Sequence, residues 1–232
     1  MAQRLAMKPP TWALPKSIGA PDVTDRSVPG RHGDIPVRIY RPVGRLAAPV
    51  ALLYVHGGGF TVGGLDSLDW FCRELSSRGG HVVVSVQYRL SPEARYPIPL
   101  DDVTDALVWL GNHLEELGAA RIAVAGDSAG SYANYLGEQD PIPVAASPLL
   151  EPDKTGLPTT LVITAEHDLL RDEGRLYAEA LERAGVQARW VQYPGVDHAF
   201  LSLPSFAKEA CRDATEQVLL ELRTQEPANP GS

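Results

Sequence analysis

Scarcities narrow the reading of this sequence first. Its two cysteines, Cys72 and Cys211, lie apart inside amphipathic segments in 232 residues, which makes neither a disulfide framework nor a thiolate metal site. Buried free thiols are the expectation. The six histidines form no zinc pattern, and there is no phosphate loop or dinucleotide fingerprint. The chemistry is therefore expected to need no cofactor and no metal. No apolar stretch is long enough to span a bilayer, and Met1 to Pro15 lack the basic region followed by an apolar run that a secretory signal requires. A cytoplasmic location with no membrane partner follows as the expectation. The signs of the net charge of −8 are interspersed, which offers no surface to nucleic acid. Repeats and low-complexity tracts are absent as well.

What is present suits one large α/β domain with a substantial core. Residues 1–20 read as a loose amino-terminal arm, 21–224 as a single domain and 225–232 as a disordered tail. Asp22 to Val28 and Asp34 to Tyr40 alternate like the strands of a hairpin around Pro29-Gly30-Arg31-His32-Gly33. Val50 to Val55 and His81 to Val86 are continuous apolar runs, as in strands covered on both faces. Asp66 to Arg78 and Pro97 to Leu117 have helical spacing. Asp101 and Asp102 fall near the start of the second of these, where capping and dipole stabilisation are their expected roles. Farther on, Thr160 to Thr164 and Val186 to Tyr193 read as strands, Glu173 to Ala184 and Ser205 to Thr224 as helices. Strands alternating with helices indicate a mostly parallel, doubly wound sheet with helices on both faces.

The reactive groups sit where such a sheet gathers them, in loops at the carboxyl ends of strands. Arg-Ile-Ala-Val-Ala runs into Gly126-Asp127-Ser128-Ala129-Gly130, a strand followed by a glycine-bounded turn and a helix start. That geometry presents a serine hydroxyl on a strained elbow, with the amide after it aimed at a developing oxyanion. Ser128 is the candidate nucleophile. His56-Gly57-Gly58-Gly59-Phe60 follows the first buried run, and its glycines let backbone amides converge on one point without side chains in the way. His56 precedes the glycines and reads as a brace for this loop rather than a base. Asp168 follows the strand at 160–164 and His198 the strand at 186–193. The chain order serine, acid, histidine is that of an α/β-hydrolase.

His-Gly-Gly-Gly-Phe at 56–60, Tyr-Arg-Leu-Ser-Pro-Glu at 88–93, Gly-Asp-Ser-Ala-Gly at 126–130, Asp-Leu-Leu-Arg-Asp-Glu-Gly at 168–174 and His-Ala-Phe at 198–200 together resemble the bacterial hormone-sensitive-lipase-like (family IV) carboxylesterases. The resemblance spans most of Asp34 to about Leu222. It implies an α/β-hydrolase fold and a serine carboxylesterase acting on small short-chain acyl or aryl esters, with Ser128, Asp168 and His198 as its triad. By the same carry-over the amides of Gly58, Gly59 and Ala129 form the oxyanion hole. Two-step acyl transfer through an acyl-enzyme on Ser128 would be the mechanism.

The sequence departs from that family after the nucleophile turn. Members place a long helix, a further strand and part of a lid between that turn and the Ala-Ser-Pro-Leu-Leu found here at 146–150, whereas this chain has only Ser131 to Ala145. The arm at the amino terminus is shorter than the family's helical cap, and Ser131 stands where glycine is usual. A reduced lid and one core strand fewer are the consequence, with the strands carrying Ser128 and Asp168 either pairing directly or leaving a gap. Competing readings are a catalytically silent ligand-binding or truncated α/β-hydrolase, and an amidase or formamidase using the same triad. Val186 to Tyr193 is expected at a sheet edge, where pairing with a second copy would make a homodimer.

Overall fold

In the computed structural model, residues 20–44, 49–128, 135–136 and 141–224 are described. The chain forms two compact units, Met1–Glu138 and Gln139–Ser232. The sheet of the first unit has the order β1-β2-β4-β3-β5. β1 (Asp22–Val28) and β2 (Ile35–Arg41) are the expected hairpin, paired antiparallel. β2 also runs antiparallel to β4 (Val82–Val86), while β3 (Val50–Val55) runs parallel to both β4 and β5 (Arg121–Gly126).

The unbroken apolar runs of β3 and β4 are explained by helices on both faces of this sheet. α1 (Asp69–Gly79) covers one face, where Phe71 meets Tyr54 edge to face and Tyr40 donates its hydroxyl to Asp69 at 2.8 Å. α2 (Ile98–Asn112) covers the other, packing Ala106, Trp109 and Leu110 against Leu53, Val82, Val84 and Val86. Leu53 is fully buried there, and a leucine so placed contributes roughly 1.5–3 kcal/mol. The helical pattern predicted over Pro97 to Leu117 is broken at His113, after which Leu114–Leu117 forms one short helix, α3.

Neither Asp101 nor Asp102 caps α2, although Asp101 stands in its first turn, where a carboxylate favours the helix dipole. That helix begins after Pro97 without a side-chain cap. The buried Asp102 instead accepts from the backbone N–H of Arg89 at 2.8 Å and from its guanidinium, and Asp101 accepts from Arg31 and His32. Basic groups from the hairpin loop and from the loop after β4 outcompete the helix's own amides for these carboxylates, and they pin both loops to α2.

The second unit is built on a βαβ crossover. β6 (Thr160–His167) and β7 (Ala188–Asp197) pair in parallel, with an irregularity between Ala165 and His167. α4 (Arg171–Arg183) connects them and packs on both, burying Ala178 and Leu181. Gly174 permits the close approach, since a Cβ there would lie 2.9 Å from the Thr164 methyl. α5 (Lys208–Thr224) follows and buries Cys211, Ala214, Leu219 and Leu222. β6 and β7 run three or four residues farther than their apolar runs suggest, because their polar carboxyl ends stay paired as far as His167 and Asp197. Both cysteines are buried free thiols.

Candidate active site

In the first unit the parallel pairing of β3 and β5 places Val55 opposite Gly126. The glycine loop after β3 and the turn after β5 therefore leave the sheet side by side. Their contact has no room for side chains: a Cβ on Gly57 would lie 2.4 Å from Asp127 Oδ2 and 2.6 Å from the Ser128 carbonyl oxygen. The N–H of Gly58 donates to that carbonyl at 3.0 Å, and the N–H of Asp127 donates to Val55 at 3.3 Å.

The loop then takes three successive left-handed backbone conformations, with φ of 123° at Gly58, 61° at Gly59 and 58° at Phe60. Glycine accepts this without steric penalty, whereas Phe60 needs support. Phe60 receives it from Tyr135, stacked at 3.8 Å between ring centroids, and from Ser91, whose N–H donates to its carbonyl at 2.8 Å. Among the described residues the N–H of Gly59 has no acceptor. It is the loop amide available to an incoming oxyanion, while that of Gly58 is engaged with Ser128. Ala129, the third amide expected in the oxyanion hole, lies outside the described residues.

His56 braces the loop. Its Nδ1–H donates to the Gly57 carbonyl at 2.8 Å, its ring stacks on Tyr88 at 4.3 Å, and the Tyr88 hydroxyl donates to the His56 carbonyl at 2.7 Å. Burial lowers its pKa below the ordinary 6.5, with the Gly57 hydrogen bond acting weakly in the opposite sense. The ring is neutral at pH 7, buried and committed to structure.

The second unit holds the acid and the histidine. Asp168 follows β6 directly and turns the chain into α4: its Oδ1 accepts from the N–H of Leu170 at 2.7 Å and its carbonyl from that of Arg171 at 3.2 Å. The same Oδ1 lies 2.9 Å from Nδ1 of His198. Strand pairing delivers the partner, because His167 and Asp197 are in register and the N–H of His198 donates to the His167 carbonyl at 2.9 Å. Glu166 holds the end of β7 by accepting from the N–H of Gly195 at 2.7 Å. The Asp168 side chain is 10 % exposed and that of His198 39 %, so the acid is sheltered while the imidazole is partly exposed.

Each unit thus carries its own half of the predicted constellation: the glycine loop beside Ser128 in one, Asp168 bonded to His198 in the other. Three residues that hold these loops are not singled out by the sequence: Tyr54 and Asp127, whose carboxylate accepts from the Tyr54 hydroxyl and the Gly57 N–H, and Glu166. Asp127 was visible as the residue before Ser128, but only its fold-dependent neighbours reveal a task. Among the described residues no group of three or more His, Cys, Asp or Glu side chains is arranged to hold a metal ion.

Comparison with known proteins gives this geometry its context. A family profile described as alpha/beta hydrolase fold matches residues 52–134 and 131–202. The ethyl acetate hydrolase of Pseudomonas putida is 34 % identical over 81 % of this chain and 78 % of its own length, and carboxylesterase NlhH of Mycobacterium tuberculosis 33 % over 82 % and 78 %. Among solved structures, the hyperthermophilic esterase of Pyrobaculum calidifontis superposes with a TM-score of 0.78 at 34 % identity, covering 88 % of this chain and 85 % of that one. The thermostable carboxylesterase EstE1, from a metagenomic library, gives 0.82 at 32 %, covering 94 % and 93 %. The two pieces of the profile match meet at 131–134. The alignment with the Pseudomonas enzyme runs over 249 positions, more than the 232 residues of the whole chain. Because that alignment takes in only 81 % of this chain, the Pseudomonas enzyme carries residues that this chain lacks.

Proposed function

The chain belongs to the hormone-sensitive-lipase-like carboxylesterases of the α/β-hydrolase superfamily, and from that membership we propose that it hydrolyses small, short-chain acyl or aryl esters through an acyl-enzyme on Ser128. The observation that carries the proposal is the 2.9 Å contact between Asp168 Oδ1 and His198 Nδ1. With its proton held at Nδ1, the imidazole has its lone pair on Nε2, the tautomer a general base needs.

His198 takes the Ser128 proton as Oγ attacks the ester carbonyl. The N–H of Gly59 and that of Ala129 receive the negative oxygen, joined by Gly58 as its amide turns from the Ser128 carbonyl. Protonated His198 then hands its proton to the departing alcohol, and water, activated by the same imidazole, releases the acid and restores the serine. The reduced lid expected from the sequence would leave little apolar surface to hold a long chain, so butyrates should be better substrates than long-chain esters. The names of the relatives, an ethyl acetate hydrolase and an arylesterase, support small esters as the substrate class. Among the described residues β7 has a strand neighbour on one edge only; pairing of the other edge with a second copy would give a homodimer, and static light scattering at a mass near 25.0 kDa would count against it.

The test is hydrolysis of a soluble aryl butyrate by the purified chain beside Ser128→Ala. The expected outcome is loss of turnover by about six orders of magnitude in the variant. A second reading, a catalytically silent member, is favoured by the break in the family match at 131–134. A folded wild type without Ser128-dependent turnover would establish it. Faster cleavage of a matched anilide than of the ester would instead indicate an amidase.

A further inference from the structure

We propose that Asp127 is a positioning residue for ester hydrolysis, its carboxylate locking the glycine loop against the nucleophile turn so that the loop amides meet the oxyanion. This rests on the reading of Ser128 and the glycine loop given above. Asp127 Oδ1 accepts two hydrogen bonds, from the hydroxyl of Tyr54 at 2.7 Å and from the N–H of Gly57 at 2.9 Å. The first donor is a fully buried side chain of β3, which makes it a fixed anchor. The second is the amide that opens the glycine loop. One oxygen thus connects the rigid strand, the loop and the residue preceding Ser128.

Backbone hydrogen bonds also join loop and turn: Gly58 to the Ser128 carbonyl, and Asp127 to the Val55 carbonyl. Neither reaches the loop's first peptide, which joins His56 to Gly57 and on whose rotation the direction of the following amides depends; its carbonyl is held by the Tyr88 hydroxyl at 2.7 Å, and its N–H by Asp127. Glycine has no side chain to restrict that rotation. The carboxylate does so from the N–H side with a charge-assisted hydrogen bond, opposite the Tyr88 hydroxyl on the carbonyl side. Its other oxygen sits close to where a Gly57 Cβ would be, at 2.4 Å, so the glycine also serves the carboxylate's approach. Asp127 acts through the amides and does not touch the substrate.

Such a residue should affect the transition state more than substrate binding, because the oxyanion forms only after attack. The experiment compares wild type, Asp127→Ala, Asp127→Asn and Tyr54→Phe on a soluble aryl butyrate, with near-ultraviolet circular dichroism and melting to verify folding. Asp127→Ala should lower kcat by about 100-fold with KM within about threefold. Asp127→Asn, which keeps the Oδ1 acceptor, should recover at least tenfold of that loss, and Tyr54→Phe should lose kcat by a smaller factor. The inhibition constant of a trifluoromethyl ketone, which binds as an oxyanion, should rise in step with the fall in kcat/KM.

A folded Asp127→Ala with kcat near wild type overturns the proposal, as does a loss carried wholly by KM. Should Asp127→Ala not fold, Asp127→Asn and Tyr54→Phe decide: wild-type kcat and unchanged ketone affinity in both overturns it. A wild type lacking Ser128-dependent turnover fails earlier, at the esterase reading itself, and takes the proposal with it.

Discussion

His56 shows what burial does to a single titratable group. Its pKa is depressed by desolvation from an ordinary 6.5, so below that pH the unfolded chain binds a proton that the folded one refuses. Stability contributed by the neutral ring is intact above pH 6.5 and falls as the solution is acidified, by at most about 1.4 kcal/mol per pH unit for one proton. Urea midpoints measured at pH 7.5, 6.5 and 5.5 should decline in that order. His56→Gln should lower the midpoint at pH 7.5 and flatten the decline. An equally steep decline in that variant would assign the effect to other groups. Around His198 the controlling factor is different: strand register, not burial, brings it to Asp168, and no local pattern in the sequence encodes that contact.

Among the elements, β3 and β5 are the informative pair. Leu53 and Val124 face each other in register, yet Leu53 is 0 % exposed and Val124 56 %. Leu53 lies under α2, whereas β5 has β3 as its strand neighbour on one side and, among the described residues, none on the other. Leu53→Ala should therefore cost about 2–5 kcal/mol in urea unfolding, through lost transfer energy and the cavity left behind. Val124→Ala should cost less than about 1 kcal/mol. Comparable losses for the two would mean that Val124 is covered in solution. The apolar run of β5, Ile-Ala-Val-Ala, is legible as a strand but reads as buried on both faces. Its exposure depends on which segments the rest of the chain supplies to cover it, and the run itself cannot reveal that.

Across the molecule the two units differ in how deeply their strands are buried. All five positions of β4 are buried, against one of the ten in β7. Native-state hydrogen exchange should therefore be slowest in β3 and β4 and faster in β6 and β7, because protection follows the apolar packing that local opening must disrupt. Equal protection would show that the second unit is packed more tightly than its side-chain burial indicates. The difference bears on function, since Asp168 and His198 are held by β6 and β7 while Ser128 is held by the better-buried sheet.

Read alone, the string of residues already specified the family, the strand and helix order, and which loops carry Ser128, Asp168, His198 and the glycines. Those features are local: apolar runs, glycine clusters and a motif in which each residue type has a steric or chemical reason. The rest waited on tertiary structure. It engaged the Gly58 amide with Ser128, gave Asp127 to Tyr54 and Gly57, moved Asp101 and Asp102 from helix capping to binding Arg31, His32 and Arg89, and left Val124 of β5 exposed. Each of these depends on partners far away in the chain, and hydrogen bonds and burial are settled by whichever group the fold brings within reach.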